Sequence, residues 1–93
     1  LPDQDQLMEL IYPKRISQIY IPIDLDGEVG QTVFKVAHRN GNAAIYWHLD
    51  NEFLGATSTF HEMAFHATEG KHLLTLVDEE GNTLTKKFEM LSK

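Results

Sequence analysis

Apolar and polar residues alternate with a period of two near the middle of the chain. The apolar positions are Ile45, Trp47 and Leu49, and the two positions between them are Tyr46 and His48. This alternation is typical of a β-strand that buries one face. Asp50-Asn51 then offers a two-residue turn, so the sequence predicts a β-hairpin over residues 45–55 with Trp47 in the core.

Strand patterns also precede this hairpin. Residues 17–23 are rich in β-formers but contain Pro22, which cannot donate to a ladder and therefore predicts an edge strand. Residues 31–39 form a more regular pattern, in which Phe34 and Val36 are expected to face inward. The stretch between them is rich in turn-forming residues.

The remaining patterns follow the tryptophan hairpin. Residues 72–90 predict a second hairpin, whose inward positions are Leu74, Leu76 and Phe88. Residues 60–67 are compatible with a short helix or a strand, and we favour a strand because their neighbours are strands. About seven short strands without a long helical period indicate an all-β protein, an immunoglobulin-like antiparallel β-sandwich.

The length supports one domain. Ninety-three residues are enough for a single core. We predict a polar linker or tail over residues 1–8 and the domain over residues 9–93. A polar start without Met is expected for a piece of a longer protein. The chain has no cysteine, so no disulfide joins the sheets, and burial alone is expected to hold them together.

Charge and hydropathy exclude two classes of partner. The net charge is −6, and the basic residues are scattered rather than clustered, which argues against binding nucleic acid. No apolar run approaches the roughly 20 residues that a membrane-spanning helix needs. The sequence therefore predicts neither nucleic-acid binding nor a membrane span in this segment.

The residue types that support catalysis or metal binding lack the necessary spacing. None of the serines lies in a Gly-x-Ser-x-Gly or Ser-x-x-Lys setting. His61 and His66 are five residues apart, whereas a zinc-protease helix needs a separation of four. His38 and His48 could approach on adjacent strands, but one pair does not make a metal site. We predict no catalytic residue, no metal and no cofactor.

Acidic residues concentrate at predicted turns. Asp50 with Glu52, and Asp78 with Glu80, are expected to point to solvent. Residues 24–27 (Asp-Leu-Asp-Gly) fail both registers of an EF-hand loop. An ordinary acidic turn is favoured there, and a weak calcium contact of another kind stays open.

Exposed aromatic residues are the better functional signal. If Trp47 faces inward, Tyr46 faces outward together with His48, while Tyr12 and Tyr20 lie on predicted edge strands. These four residues are the candidate surface contacts. Aromatic side chains on a sandwich surface can stack on sugars or anchor a protein partner. Plain cross-strand pairing is the structural alternative.

Several strings of the sequence together resemble one protein family. The two most specific strings are Tyr20-Ile21-Pro22-Ile23-Asp24-Leu25-Asp26-Gly27 and Tyr46-Trp47-His48-Leu49-Asp50. With Ile11-Tyr12-Pro13, Ala37-His38-Arg39-Asn40, Leu54-Gly55 and residues 70–78, they resemble the C-terminal domain of the class 1C bifunctional penicillin-binding proteins. The resemblance covers roughly residues 9–91 in the family's order.

The resemblance implies a parent protein with a membrane anchor, a glycosyltransferase domain and a transpeptidase domain. Such a protein works on peptidoglycan outside the inner membrane, in the periplasm or cell envelope. The transpeptidase signatures Ser-x-x-Lys, Ser-x-Asn and Lys-Thr-Gly do not occur in the chain. The resemblance therefore implies a piece that follows the transpeptidase domain and is not itself an enzyme.

The leading hypothesis is a non-catalytic accessory domain that docks on the transpeptidase domain of the same chain or on an envelope protein. The alternative is a carbohydrate-binding module for peptidoglycan that uses Tyr12, Tyr20 or Tyr46 for stacking. A small metal-dependent hydrolase that uses His38, His48 and His61 is the least favoured hypothesis.

Overall fold

The computed structural model describes residues 7–14 and 17–92. Within this part the chain forms eight β-strands. The strands are β1 (Met8–Tyr12), β2 (Gln18–Tyr20), β3 (Thr32–His38), β4 (Ile45–Leu49), β5 (Glu52–Thr57), β6 (Glu62–Phe65), β7 (Gly70–Asp78) and β8 (Thr83–Leu91). The all-β class is confirmed, as is the strand predicted within residues 60–67. Over the same residues there is no helix with the length and apolarity to cross a bilayer.

The strands form two sheets, β1-β3-β6 and β2-β8-β7-β4-β5. The sandwich is antiparallel except at β2, which pairs in parallel with β8. The chain leaves the first sheet after β1, where Pro13 cannot donate to the ladder. It then joins the edge of the second sheet as β2.

The two sheets enclose one hydrophobic core. The fully buried large side chains are Trp47, Phe34, Ile45, Leu74, Leu76 and Met90. Phe34 contacts Phe65 and Phe88 edge to face, with ring centroids 5.0 Å and 5.2 Å apart. Since Phe34 lies on β3 and Phe88 on β8, this cluster joins the two sheets. All the inward positions predicted from the alternation are buried.

The first strand begins at Met8. Met8, the last residue of the predicted tail, begins β1 and is buried in the core. Residues 1–6 of the predicted tail lie outside the described residues. Leu7 is described, and its carbonyl accepts a hydrogen bond from the amide of Arg39.

The tryptophan hairpin is formed by β4 and β5. Asp50 adopts a left-handed φ of 59° at its turn, a conformation that Asp tolerates better than most residues. Leu54 is an extra residue on β5, because Trp47 pairs with Gly55 while His48 pairs with Phe53. Gly55 has a φ of 153°, and a Cβ there would lie 3.3 Å from Cε of Met63 on β6. A glycine therefore lets the edges of the two sheets approach.

Trp47→Ala should reduce the free energy of unfolding by about 3–5 kcal/mol, because it empties a large volume at the centre of the core. Urea unfolding of the two proteins measures the difference. Tyr46→Ala is the matched control on the neighbouring, outward-facing position and should cost less than about 1 kcal/mol. A loss below about 1 kcal/mol for Trp47→Ala would contradict the buried position of the ring.

Candidate functional site

The four predicted contact residues do not form one surface. Tyr12 lies on β1 in the three-stranded sheet, whereas Tyr20 lies on β2 at one edge of the five-stranded sheet. Tyr46 and His48 lie on β4, three strands away from β2. All three tyrosines are exposed, but the structure brings together only Tyr46 and His48, on the outer face of β4.

Phe53 joins these two residues. Its ring lies 5.4 Å from that of His48, and its side chain is 58% exposed, compared with 37% for Tyr46. Tyr46, His48 and Phe53 together form the outer aromatic patch. Phe53 was not among the predicted contact residues, although the two-residue turn at Asp50-Asn51 already places it opposite His48. The register of the hairpin could have identified it.

The edge of the patch is formed by β7, where Val77 pairs with Tyr46 and Thr75 pairs with His48. These neighbours carry no charge, so uncharged side chains border the patch on its β7 side. Nδ1 of His48 is buried and has no hydrogen-bond partner within the described residues. Nδ1 therefore faces away from the surface of the patch.

The other histidines lie elsewhere. His38 and His48 do not lie on adjacent strands, because β3 and β4 belong to different sheets; this expectation was wrong. His61 is buried and His66 is exposed. Among residues 7–14 and 17–92 no group of three or more metal-ligating side chains could hold a metal ion.

Two sets of hydrogen bonds cross between the sheets and form an inter-sheet polar network. In the first set, Trp47 Nε1–H donates to Oγ1 of Thr57 at 2.8 Å, and the Thr57 hydroxyl lies 2.8 Å from Nδ1 of His61. The hydroxyl oxygen accepts from the indole, and its bond with Nδ1 of His61 runs in the direction that the tautomer of the ring sets. His61 is tied to the other sheet, since its carbonyl accepts a hydrogen bond from the amide of Val36.

The second set joins His38 on β3 to Asp78 on β7. Nε2 of His38 lies 2.9 Å from Oδ2 of Asp78. Nδ1 of His38 accepts a hydrogen bond from the amide of Asn40 at 2.9 Å, so the ring proton is on Nε2 and is donated to the carboxylate. The rings of His38 and His61 are 6.4 Å apart, which brings the two sets of the network side by side.

The prediction that Asp78 points to solvent was wrong. The residue is only 4% exposed, because it continues the inward positions of Leu74 and Leu76 along β7. Besides His38, the carboxylate accepts hydrogen bonds from the amides of Glu80 and Asn82 and from the Asn82 side chain. Burial by itself would raise the pKa of Asp78, but the hydrogen bonds from His38 and Asn82 outweigh it and lower the pKa to about 2.

A second acid–base pair lies where the tryptophan hairpin turns. Nδ1 of His72 is 2.8 Å from Oδ2 of Asp50, and Nε2 is 2.7 Å from the carbonyl oxygen of Thr68. Both acceptors lack a proton, so the two contacts together fit the cationic form of the ring, in which both nitrogens donate. Asp50 also accepts a hydrogen bond from the amide of Leu73. This carboxylate therefore has a partner, which the sequence analysis did not find.

The pKa values of the two histidines move in opposite directions. Burial lowers the pKa of His72, but the hydrogen bonds to Asp50 and Thr68 outweigh it, so the pKa is raised above 6.5. Burial lowers the pKa of His61 below 6.5, and the neighbouring His38 lowers it further. The hydrogen bond from His72 lowers the pKa of Asp50.

These shifts predict a pH dependence of stability. His72 stabilises the fold fully below pH 6.5 and loses this contribution as the pH rises through its raised pKa. His61 acts in the opposite sense, because the unfolded chain binds its proton more readily as the pH falls below 6.5. NMR titration of the ring protons should place the midpoint of His72 above 6.5 and that of His61 below it.

His72→Asn tests the same point through stability. The difference in unfolding free energy from the original protein should be largest below pH 6.5 and should shrink at higher pH. His66→Asn, at an exposed histidine, is the control and should change little at any pH. A pH-independent loss in His72→Asn would contradict the cationic state of His72.

Comparisons with known proteins agree with this architecture. A family model described as the Penicillin-Binding Protein C-terminus Family matches residues 1–88. None of the curated proteins matches the chain. Among solved structures, fibronectin(III)-like modules of CbhA from Clostridium thermocellum superpose with a TM-score of 0.61 at 13% identity, covering 94% of this chain and 96% of theirs.

The structural similarity concerns the fold alone, given the low identity. It confirms the immunoglobulin-like sandwich that the strand pattern predicted. The family model spans most of the chain and includes the first arm of the β7–β8 hairpin as well as the whole tryptophan hairpin. The chain therefore belongs to the penicillin-binding protein C-terminus family.

Proposed function

We propose that this chain is a non-catalytic accessory domain of a bifunctional penicillin-binding protein that synthesises peptidoglycan. Its place of action is the periplasm, and it docks on the transpeptidase domain of the same protein or on another envelope protein. The observation that carries the docking proposal is the outer aromatic patch, in which the exposed side chains of Tyr46 and Phe53 lie beside the half-buried ring of His48. Family membership supports the identity of the parent protein.

The chemistry of the buried groups supports a non-catalytic role. Across the described residues no serine hydroxyl is hydrogen-bonded to a histidine, and Ser92 donates instead to the carboxylate of Glu69. The Thr57 hydroxyl does face a histidine base, but the indole of Trp47 donates to the same oxygen, which makes that oxygen a poorer nucleophile. Nε2 of His61 has no partner there to orient the ring, as an activated nucleophile–base pair needs.

The side chains of the patch and the positions of the tyrosines favour a protein partner. Tyr46 and Phe53 offer large apolar area at a low entropic cost, which is the composition of interface anchors. Of the three tyrosines that a sugar-stacking module would use, Tyr12 lies in the three-stranded sheet, and Tyr20 and Tyr46 lie three strands apart in the five-stranded sheet. They therefore provide no single platform for a glycan chain.

Docking can be measured between this chain and the separately purified transpeptidase domain of its parent protein by isothermal titration calorimetry. We expect the double variant Tyr46→Ser/Phe53→Ser to bind at least about tenfold more weakly, because it removes two aromatic anchors. The control is the double variant Thr83→Ser/Thr85→Ser, at two exposed positions of β8. It should bind like the original chain.

Three outcomes would contradict the proposal. Equal binding by the aromatic double variant would exclude the patch as the docking surface. Sedimentation with purified peptidoglycan that is lost on Tyr46→Ala would favour the carbohydrate-binding alternative instead. A covalent adduct between the chain and labelled penicillin would contradict the non-catalytic role.

A further inference from the structure

The connection between β2 and β3 carries a second exposed surface, separate from the outer aromatic patch. Residues 22–30 form a small hairpin, closed by hydrogen bonds from the amide of Gly30 to the carbonyl of Pro22 and from the amide of Asp24 to the carbonyl of Glu28, both 2.8 Å long. Ile23 and Val29 form an antiparallel bridge within it. Since its own hydrogen bonds hold this shape, the hairpin loses little conformational entropy on binding.

The exposed surface of the 22–30 hairpin combines apolar and acidic side chains. Leu25 at the tip is fully exposed, and Ile23 and Val29 are each more than half exposed, at 61% and 53%. The acidic side chains of the hairpin are Asp24, Asp26 and Glu28, and no Lys, Arg or His occurs between residues 21 and 34. The hairpin is therefore an aliphatic knob surrounded by carboxylates.

This composition indicates what the hairpin can bind. Carboxylates are repelled by the anionic headgroups of a bacterial membrane surface. Aliphatic side chains also lack the aromatic face that stacks on sugars. The complementary surface is an apolar depression with lysine or arginine at its rim, because it buries the leucine and pairs with the acids.

The same chain carries such a depression. A cleft of about 500 Å³ lies beside β7 and β8. Leu73 and Phe88 contribute apolar lining, and the exposed side chains of Lys71 and Lys87 line it as well. Because Leu25 is fully exposed, the hairpin does not occupy the cleft of its own chain.

The other charges of the cleft leave it basic. Asp50 is paired with the cationic ring of His72, so this pair is neutral overall. Glu89 is the one further acid in the lining, against the two lysines. With His72 in its protonated form the cleft carries one net positive charge, whereas the knob carries three carboxylates.

The hairpin and the cleft both lie near the β2 edge of the five-stranded sheet. The hairpin follows β2, whose pairing continues as the amide of Ile21 donates to the carbonyl of Leu91 on β8. The cleft includes Ser17, just before β2, and Glu89 on β8. Neighbouring complementary surfaces allow two molecules to exchange hairpins about a twofold axis, so that the assembly closes as a dimer.

We propose that the 22–30 hairpin of one chain docks in the Lys71–Lys87 cleft of a second copy, forming a reciprocal dimer. The contact is independent of the outer aromatic patch, which remains free for another partner. Each chain has a net charge of −6, so long-range repulsion opposes association. At physiological salt this repulsion is screened beyond about 8 Å, while the knob and the cleft attract at contact. The dimer is therefore expected to be weak.

Charge reversal on each side provides the test, by sedimentation velocity from about 20 µM to about 1 mM, the range of weak interfaces. The original chain should shift from monomer to dimer with concentration. Asp24→Lys/Glu28→Lys and Lys71→Glu/Lys87→Glu should each remain monomeric, because like charges then meet in both contacts. An equimolar mixture of the two variants should form dimers again, since every contact in the mixed dimer is complementary.

Two further variants separate the contact from general charge and folding effects. Lys14→Glu/Lys35→Glu has the same net charge as the cleft variant with an intact cleft, and it should dimerise like the original chain. Leu25→Ser removes only the knob and should weaken dimerisation about tenfold or more. A monomeric original chain at the highest concentration, or a mixture that stays monomeric while both variants are folded by circular dichroism, overturns the proposal.

Discussion

The hydrogen bond between His38 and Asp78 is the contact on which the arrangement of the two sheets depends. A carboxylate with 4% exposure would be very costly without compensation. Here four donors, from His38, Glu80 and twice from Asn82, surround it. Three of these donors belong to the β7–β8 turn itself, whereas His38 comes from the opposite sheet. The carboxylate therefore fixes the turn and at the same time fixes the position of the first sheet over the second.

This contact changes the explanation of how a small domain without cysteine holds its sheets together. Burial was expected to act alone. The core does contribute, through Trp47 and the Phe34 cluster, but apolar contacts are not directional. Hydrogen bonds are directional, so the bonds that join Trp47, Thr57 and His61 form only when the two sheets are correctly aligned with each other. The network then specifies one register between sheets that apolar packing alone would define less sharply.

The sequence contained enough local information for the strands and too little for their partners across the sandwich. Alternation predicted the hairpin at Trp47 and the outward direction of Tyr46 and His48. The same alternation also points Asp78 inward, but its charge suggested a solvent position, and only a partner 40 residues away, His38, makes the inward position favourable. The parallel pairing of β2 with β8 could not be predicted either. A strand of three residues has no pattern that identifies a partner strand so far away in the sequence.

The polar groups inside and the aromatic groups outside thus have different roles. Ionisable side chains that could have suggested an active site, His38, His61 and Asp78, are used to join the sheets. The outward side chains of Tyr46 and Phe53 on β4 and β5 are exposed, and the 22–30 hairpin follows β2 at the other edge of the same sheet. Two separate exposed surfaces are compatible with the two proposed contacts.

A double-mutant cycle between His38 and Asp78 tests the role of the inter-sheet contact most directly. The unfolding free energies of His38→Ala, Asp78→Ala, the double variant and the original chain would be compared in urea at pH 7. The structure predicts a coupling energy of about 1–3 kcal/mol, as for groups within one buried hydrogen-bond network. Additive losses, with a coupling below about 0.5 kcal/mol, would contradict the account, because the two sheets would then be held in register without this contact.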